Sequence, residues 1–285
     1  MKFSSQQVLL LIATLAISTA APLFRQLDGM SPLLAASLRL LLAGGILCTM
    51  GGLRFTALTS TQFKATWICG FFYAAHFGCW VSSLHYTSIA ASVTLVTTTP
   101  ILLLALSLMK GEKRQPGEYA ACAVAMLGVC FLAGADWQLS SRALFGDFLA
   151  LMGAVAMAGY FLVVKPLGQL PLRPFMCLTA LFAGGLLMLI ALFENPNALS
   201  AIEHQDWLWI GALAILPHLV GHGLLTYCLR NSSPSEVALA TVGEPAGSAL
   251  LAYLLFSETV SLFAGVGCMI TLAAVYVGTQ APSKS

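Results

Sequence analysis

Ten apolar runs, each long enough to cross a lipid hydrocarbon core as a helix, follow one another along the 285 residues with polar breaks between them. A crossing helix needs about 20 predominantly apolar residues at about 1.5 Å per residue. The runs are predicted at 7–24, 32–50, 66–84, 89–109, 117–134, 146–165, 174–193, 207–228, 236–256 and 261–279. The breaks carry turn chemistry: Asp28-Gly29 with Ser31-Pro32, Lys110 to Gly117, Gly168 with Pro171 and Pro174, and Glu194 to Asp206. Most are short, so neighbouring helices pair as antiparallel hairpins. The predicted class is an all-α integral membrane protein.

Composition excludes the main alternatives. Only 8% of residues are charged, against about a quarter in a soluble domain, too few to coat a water-facing surface. The basic residues do not cluster as a nucleic-acid groove requires, so nucleic acid is not an expected partner. The eight cysteines lie mostly inside apolar runs without CxxC or metal-finger spacing and read as small buried hydrophobes. No GxxxxGK[ST] phosphate cradle and no supported nucleophile–base motif occurs, so neither an ATP-driven pump, nor an enzyme, nor a cofactor is expected. Lys2, an apolar stretch and Ser18-Thr19-Ala20-Ala21 imitate a secretory signal, but further spans follow at once and favour a retained helix.

Charge sets the expected orientation. Lys2, Arg54, Lys64, Lys110, Lys113, Arg114, Lys165, Arg173, Arg230 and Lys284 fall on one side of the ten runs, and Arg25 and Arg142 on the other. Positive residues stay inside, so both termini are expected in the cytoplasm of a multi-pass protein of the cell inner membrane. Asp28, Asp136, Asp147, Glu194, Glu203, Asp206 and Glu258 lean to the outer side.

A shift of 145 lays Pro100 over Pro245, Gly78 over Gly223, Leu84 over Leu229 and His85 over Arg230, while Glu112 and Glu258 recur one residue out of step. The unit is five helices, at 7–135 and 146–279. Five is odd, so the second unit enters from the opposite face, giving two inverted five-helix repeats. Inverted repeats place a substrate site near the midplane of secondary transporters; a bundle that organises other proteins without transport is the alternative.

Polar residues inside the runs are the candidate site, since lipid tolerates them only where protein or water covers them. Arg39 has two readings: a cation for a carboxylate-bearing substrate, or a side chain that snorkels outward. Glu244 stands directly before Pro245, which frees a carbonyl one turn back, and fits a substrate amine, a coupling proton or a structural carboxylate. Its pairing with Arg39 is a further expectation. Tyr73, His76 and Trp80 recur at helical spacing as a stripe suited to stacking a ring or an ammonium group, which Tyr160 and Tyr227 extend. His218 and His222, four apart, share a face; they read as pore-lining donors, as helix–helix contacts, or as ligands of a divalent-metal carrier, although no Asp, Glu or Cys stands at ligand spacing nearby. Thr94, Thr97, Thr98 and Thr99 precede Pro100, where hydroxyls can satisfy carbonyls released by the kink.

The segments from Leu84 through Ser92 and Pro100 to Gly111-Glu112, and from Leu229 through Glu236 and Glu244-Pro245 to Ser257-Glu258, resemble the drug/metabolite transporter superfamily, in its paired EamA-type domains. An in-membrane arginine in the second run, here Arg39, is similar to the family pattern. The resemblance implies a carrier that exports amino acids, related metabolites or drugs, with a cavity lined by runs 1 to 4 and 6 to 9. It also implies that runs 5 and 10 pack peripherally, open to homodimer contacts. Thr99 in place of an acid, and the His218/His222 pair, depart from that pattern. The expected activity is alternating-access export of an amino acid or related small metabolite, with the bilayer and that solute as partners.

Overall fold

Small polar caps open the helices at the breaks. In the computed structural model, which describes residues 4–27, 29–52, 57–111, 116–133, 140–256, 266–267 and 269–275, Ser4, Thr59 and Ser233 each form a reciprocal capping box, with Gln7, Gln62 and Glu236 respectively. Ser88 and Ser140 accept a single backbone N–H.

The helices are α1 Ser5–Ile17, α2 Ala20–Phe24, α3 Pro32–Leu47, α4 Ser60–Ser83, α5 Ile89–Val96, α6 Thr99–Met109, α7 Pro116–Ala133, α8 Ser141–Val164, α9 Leu172–Glu194, α10 Asp206–Leu213, α11 Gly223–Cys228, α12 Pro234–Thr241 and α13 Glu244–Phe256. No strand occurs among the described residues. Six helical stretches among them are long and apolar enough to cross a membrane: Ser5–Leu27, Pro32–Gly51, Ala91–Met109, Ser141–Leu167, Leu172–Glu194 and Asp206–Cys228; Pro116–Phe131 is a shorter apolar helix. The runs expected at 66–84 and 236–256 coincide with α4 and the α12–α13 pair, which are not among the six. The run at 261–279 lies largely outside the described residues, as do the charge markers Lys2, Asp28, Arg54, Glu112, Lys113, Arg114, Asp136, Glu258 and Lys284. Leu127, Leu189, Phe193 and Leu254 are exposed on helix surfaces, the face that a hydrocarbon solvent covers.

The shift of 145 persists in the backbone. Caps Ser88 and Ser233 open α5 and α12, of eight residues each, and both stop two residues short of a helix that begins with a residue followed by proline, Thr99-Pro100 or Glu244-Pro245. Proline in a first turn has no orphan N–H to lose, so each proline sits where it starts a new helix.

The two halves meet most intimately along α3 and α9. A methyl group on Gly44 would meet the Leu181 side chain at 2.7 Å, and one on Gly184 would meet Leu41 Cγ at 2.9 Å. Ser37 Oγ donates to Gly184 O at 2.8 Å and Cys177 Sγ to Gly44 O at 3.5 Å. Residue numbers rise on one helix as they fall on the other, so α3 and α9 run antiparallel. The contacts are also reciprocal, as at a two-fold interface.

Candidate functional site

Four interruptions of regular α-helix surround one point in the bundle. Between α5 and α6, Thr97 Oγ1 donates to Val93 O at 2.9 Å, Thr98 Oγ1 to Leu95 O at 2.7 Å and Thr99 Oγ1 to Val96 O at 3.2 Å, so the hydroxyls expected to serve carbonyls near the kink do so. Between α12 and α13, Thr241 Oγ1 donates to Ala238 O at 2.7 Å, while α1 supplies Thr14 Oγ1 to Ala240 O at 3.0 Å and Ser18 Oγ to Glu244 O at 3.2 Å. The first predicted run is itself broken at Ser18-Thr19, between α1 and α2, where both hydroxyls bond back to preceding carbonyls.

The fourth interruption lies between α10 and α11, where Ala214–His222 widens into a π-helix with Pro217 inside it. Proline cannot donate to the preceding turn and its ring crowds the carbonyl there, and the wider winding relieves both.

A cavity of about 40 Å³ lies among these breaks, room for two or three waters. Ile17 and Ala20, His76 and Trp80, Val96, Thr97 and Thr99, Met157 and Phe161, His222 and Leu225, and Thr241 and Glu244 line it. These come from the predicted runs 1, 3, 4, 6, 8 and 9. Runs 2 and 7, expected on the wall, do not line this cavity, because α3 and α9 are committed to packing on each other.

Beside the cavity the stripe on α4 faces the π-segment. Tyr73 stacks on Tyr160, ring centroids 4.3 Å apart, and meets His218 edge-on at 5.7 Å; Phe77 meets His222 edge-on at 5.1 Å. Tyr160 and Thr226 hydroxyls are 2.8 Å apart, and the Tyr73 hydroxyl lies beside that pair without hydrogen-bond geometry of its own. His76 Nδ1 is 2.9 Å from Gly153 O, and its ring lies parallel to Trp80 at 6.2 Å. His218 is fully buried, and neither ring nitrogen has a hydrogen-bond partner among the described residues.

Arg39 is 0% exposed, which removes the snorkelling alternative. Its guanidinium lies 4.0 Å from the centroid of Phe77 and 5.5 Å from that of Phe24, a cation–π sandwich. None of its three nitrogens has a hydrogen-bond partner among the described residues. Glu244, half-buried on the cavity wall, is within electrostatic reach of Arg39 but does not bond it. The expected Arg39–Glu244 pair is therefore not made: the guanidinium lies on aromatic faces and the carboxylate looks into the cavity.

Arg39, Tyr73, His76, Trp80, Tyr160, His218, His222 and Glu244 thus fall in one neighbourhood, with Pro100 and Pro245 at its broken helices. Tyr227 does not belong to it; its ring is partly exposed beside the Arg230 guanidinium. Among the described residues no set of three His, Cys, Asp or Glu converges to hold a metal, so His218 and His222 stand without a third ligand. Sequence reasoning missed Phe77 and Phe24, which carry the guanidinium, and Thr226, which holds Tyr160. It also missed Pro217, legible as a proline inside an apolar run, which sets the winding that carries both histidines.

Comparison with known proteins adds family and fold. The EamA-like transporter family matches twice, at residues 5–134 and 144–279. Two proteins of Archaeoglobus fulgidus, both described as uncharacterized transporters, are similar: one is 28% identical over 69% of each chain, the other 21% over 70% of each. One crystal structure superposes with a TM-score of 0.78 over 98% of both chains at 19% identity, a likeness of fold.

Proposed function

The chain belongs to the EamA-like transporter family and is a multi-pass membrane transporter of the drug/metabolite transporter superfamily, and we propose that it exports amino acids or related small metabolites by alternating access. In this proposal ten spans form two inverted repeats, 7–135 and 146–279, with both termini in the cytoplasm and the carrier in the inner membrane. Support comes from the antiparallel, reciprocal α3–α9 contact between equivalent helices and from the recurrence of the cap, break and proline in α5–α6 and α12–α13.

The observation that carries the substrate class is Arg39, a buried guanidinium with unsatisfied donors close to a carboxylate on a cavity wall. A guanidinium offers a fork of donors to a carboxylate, and Glu244 suits an ammonium group. Trp80, Met157 and Phe161 give an apolar wall for the side chain of such a solute. At about 40 Å³ the cavity admits water and excludes an amino acid, so the halves must part on one side for loading and on the other for release. Energy comes from an ion gradient, from exchange or from substrate flow.

Saturable flux of an amino acid in proteoliposomes and in inverted membrane vesicles tests the proposal. Arg39→Gln and Glu244→Gln are expected to weaken it, and correctly inserted protein with no flux across an amino-acid and metabolite panel overturns it. Flux with and without a pH gradient, repeated in Glu244→Gln, reads whether that carboxylate also carries a proton.

A further inference from the structure

Away from the cavity, the α3–α9 seam brings two thiols together. Cys48, directly after α3, and Cys177, near the start of α9, stand with their sulfurs 3.2 Å apart. Cys177 is fully buried and points at Gly44 O, whereas Cys48 is half-buried and open to a small reagent. The backbone that carries Cys48 is adaptable: Cys48–Gly52 is wound as a π-turn, with Gly51 at φ 85°. A shift of about 1 Å brings the sulfurs to the bonding distance of a disulfide, near 2.05 Å. At the other end of the seam the equivalent contact has no sulfur pair, because Ser37 bonds Gly184 O there and Met188 occupies the position matching Cys48. One end of the seam can be cross-linked between these positions and the other cannot.

We propose that Cys48 and Cys177 are a redox lock: hydrogen peroxide closes them to a disulfide that ties the two halves together at one end of the α3–α9 seam and stops their rocking. Peroxide oxidises the exposed Cys48 thiol to a sulfenic acid and leaves as water. The Cys177 sulfur then attacks the Cys48 sulfur, loses its proton and expels a second water. Two thiols give up two electrons and two protons, and one peroxide becomes two waters. In the proposed topology this end faces the cytoplasm, where glutathione and thioredoxin keep thiols reduced, so the lock is open at rest and closes under oxidative stress.

The flux consequence rests on the alternating-access proposal; the bond itself does not. Full-length protein in proteoliposomes is treated with hydrogen peroxide, alkylated, digested without reduction and mapped by mass spectrometry. The expected result is one linked peptide pair containing Cys48 and Cys177, lost on adding dithiothreitol. Flux falls about tenfold or more with linking and returns with reductant, while Cys48→Ser and Cys177→Ser carry solute at a peroxide-independent rate. Cys48→Ala is the second variant, and matching thermal unfolding of all three guards against misfolding. Separate alkylation of both cysteines after peroxide overturns the proposal, as does linked protein that transports at the unlinked rate. A protein with no flux before peroxide counts instead against the carrier proposal, and the mass measurement still reads the bond.

Discussion

The broken helix of the first half and that of the second have the same outline and different means of support. At α5–α6 the chain satisfies carbonyls beside its own kink through Thr97, Thr98 and Thr99. At α12–α13 it supplies Thr241, and the rest comes from α1 of the other half, through Thr14 and Ser18. The first break is mended locally and the second is mended across the interface. The difference follows from composition: three consecutive threonines precede Pro100, while Val242-Gly243-Glu244 precedes Pro245. Gly247 completes the arrangement, since a methyl group there would meet the Ser18 side chain.

The same divergence runs through the site. Tyr73 and Phe77 on α4 face His218 and His222, which stand 145 residues on at equivalent positions, so each half lends two rings to the centre. The charges are not shared in this way. Arg39 in the first half matches Thr179 in the second, whose buried hydroxyl is unpartnered among the described residues. Glu244 in the second half matches Thr99 in the first. Duplication fixed the scaffold, and single positions then gave one half a cation and the other an anion, a layout matched to a zwitterion.

That comparison can be broken most directly at Arg39. A hydrogen bond to a charged group contributes about 1.5–3 kcal/mol, so Arg39→Gln is expected to lower flux of a carboxylate-bearing solute about 10- to 150-fold. Thr179→Val, at the matching place, should leave it within about threefold. Equal losses from the two would show that the site does not distinguish its halves.

The shared scaffold is tested next on the seam. Gly44→Ala and Gly184→Ala each push a methyl into leucine on the facing helix, so both should lose about 1–3 kcal/mol of stability in detergent thermal unfolding. Gly45→Ala and Gly185→Ala meet nothing within 4 Å and should be neutral or stabilising by about 0.5–1 kcal/mol. Unequal losses at Gly44 and Gly184 would break the reciprocity.

Glu244→Gln keeps the shape and removes the charge, and should lower flux of an amine-bearing solute about tenfold. The same solute with its amine acetylated should be insensitive to the change. The smallest effects separate the two ways of mending a helix. Thr14→Val strips the second break of a bond that crosses the interface and should cost about 1 kcal/mol. Thr97→Val removes one of several local bonds and should cost only about a few tenths of that unit. Thermal unfolding of both variants, with the reverse order as the outcome that fails, decides the matter.

Much of this was legible in the sequence because lipid leaves a chain few choices. Apolar run length, short turns and the recurrence of Pro100 in Pro245 gave the helices and both proline-led breaks. The stripe of Tyr73, His76 and Trp80 followed from helical spacing. Two readings failed where the outcome depended on a distant partner. Arg39 was open between snorkelling and burial, and Phe77 and Phe24 decided it. Tyr227 continued the aromatic pattern on paper, but the winding after Pro217 turns its ring out beside Arg230.

What the sequence alone determined is where backbone polarity had to be managed, because proline, glycine and hydroxyl side chains act on carbonyls within a turn of themselves. Tertiary structure alone decided who satisfies whom across the halves: Thr14 and Ser18 for α12–α13, Phe77 for Arg39, Cys177 for Cys48. Those contacts join residues far apart along the chain, and their geometry follows from how closely glycine lets α3 approach α9, a property of two packed surfaces and not of any one segment.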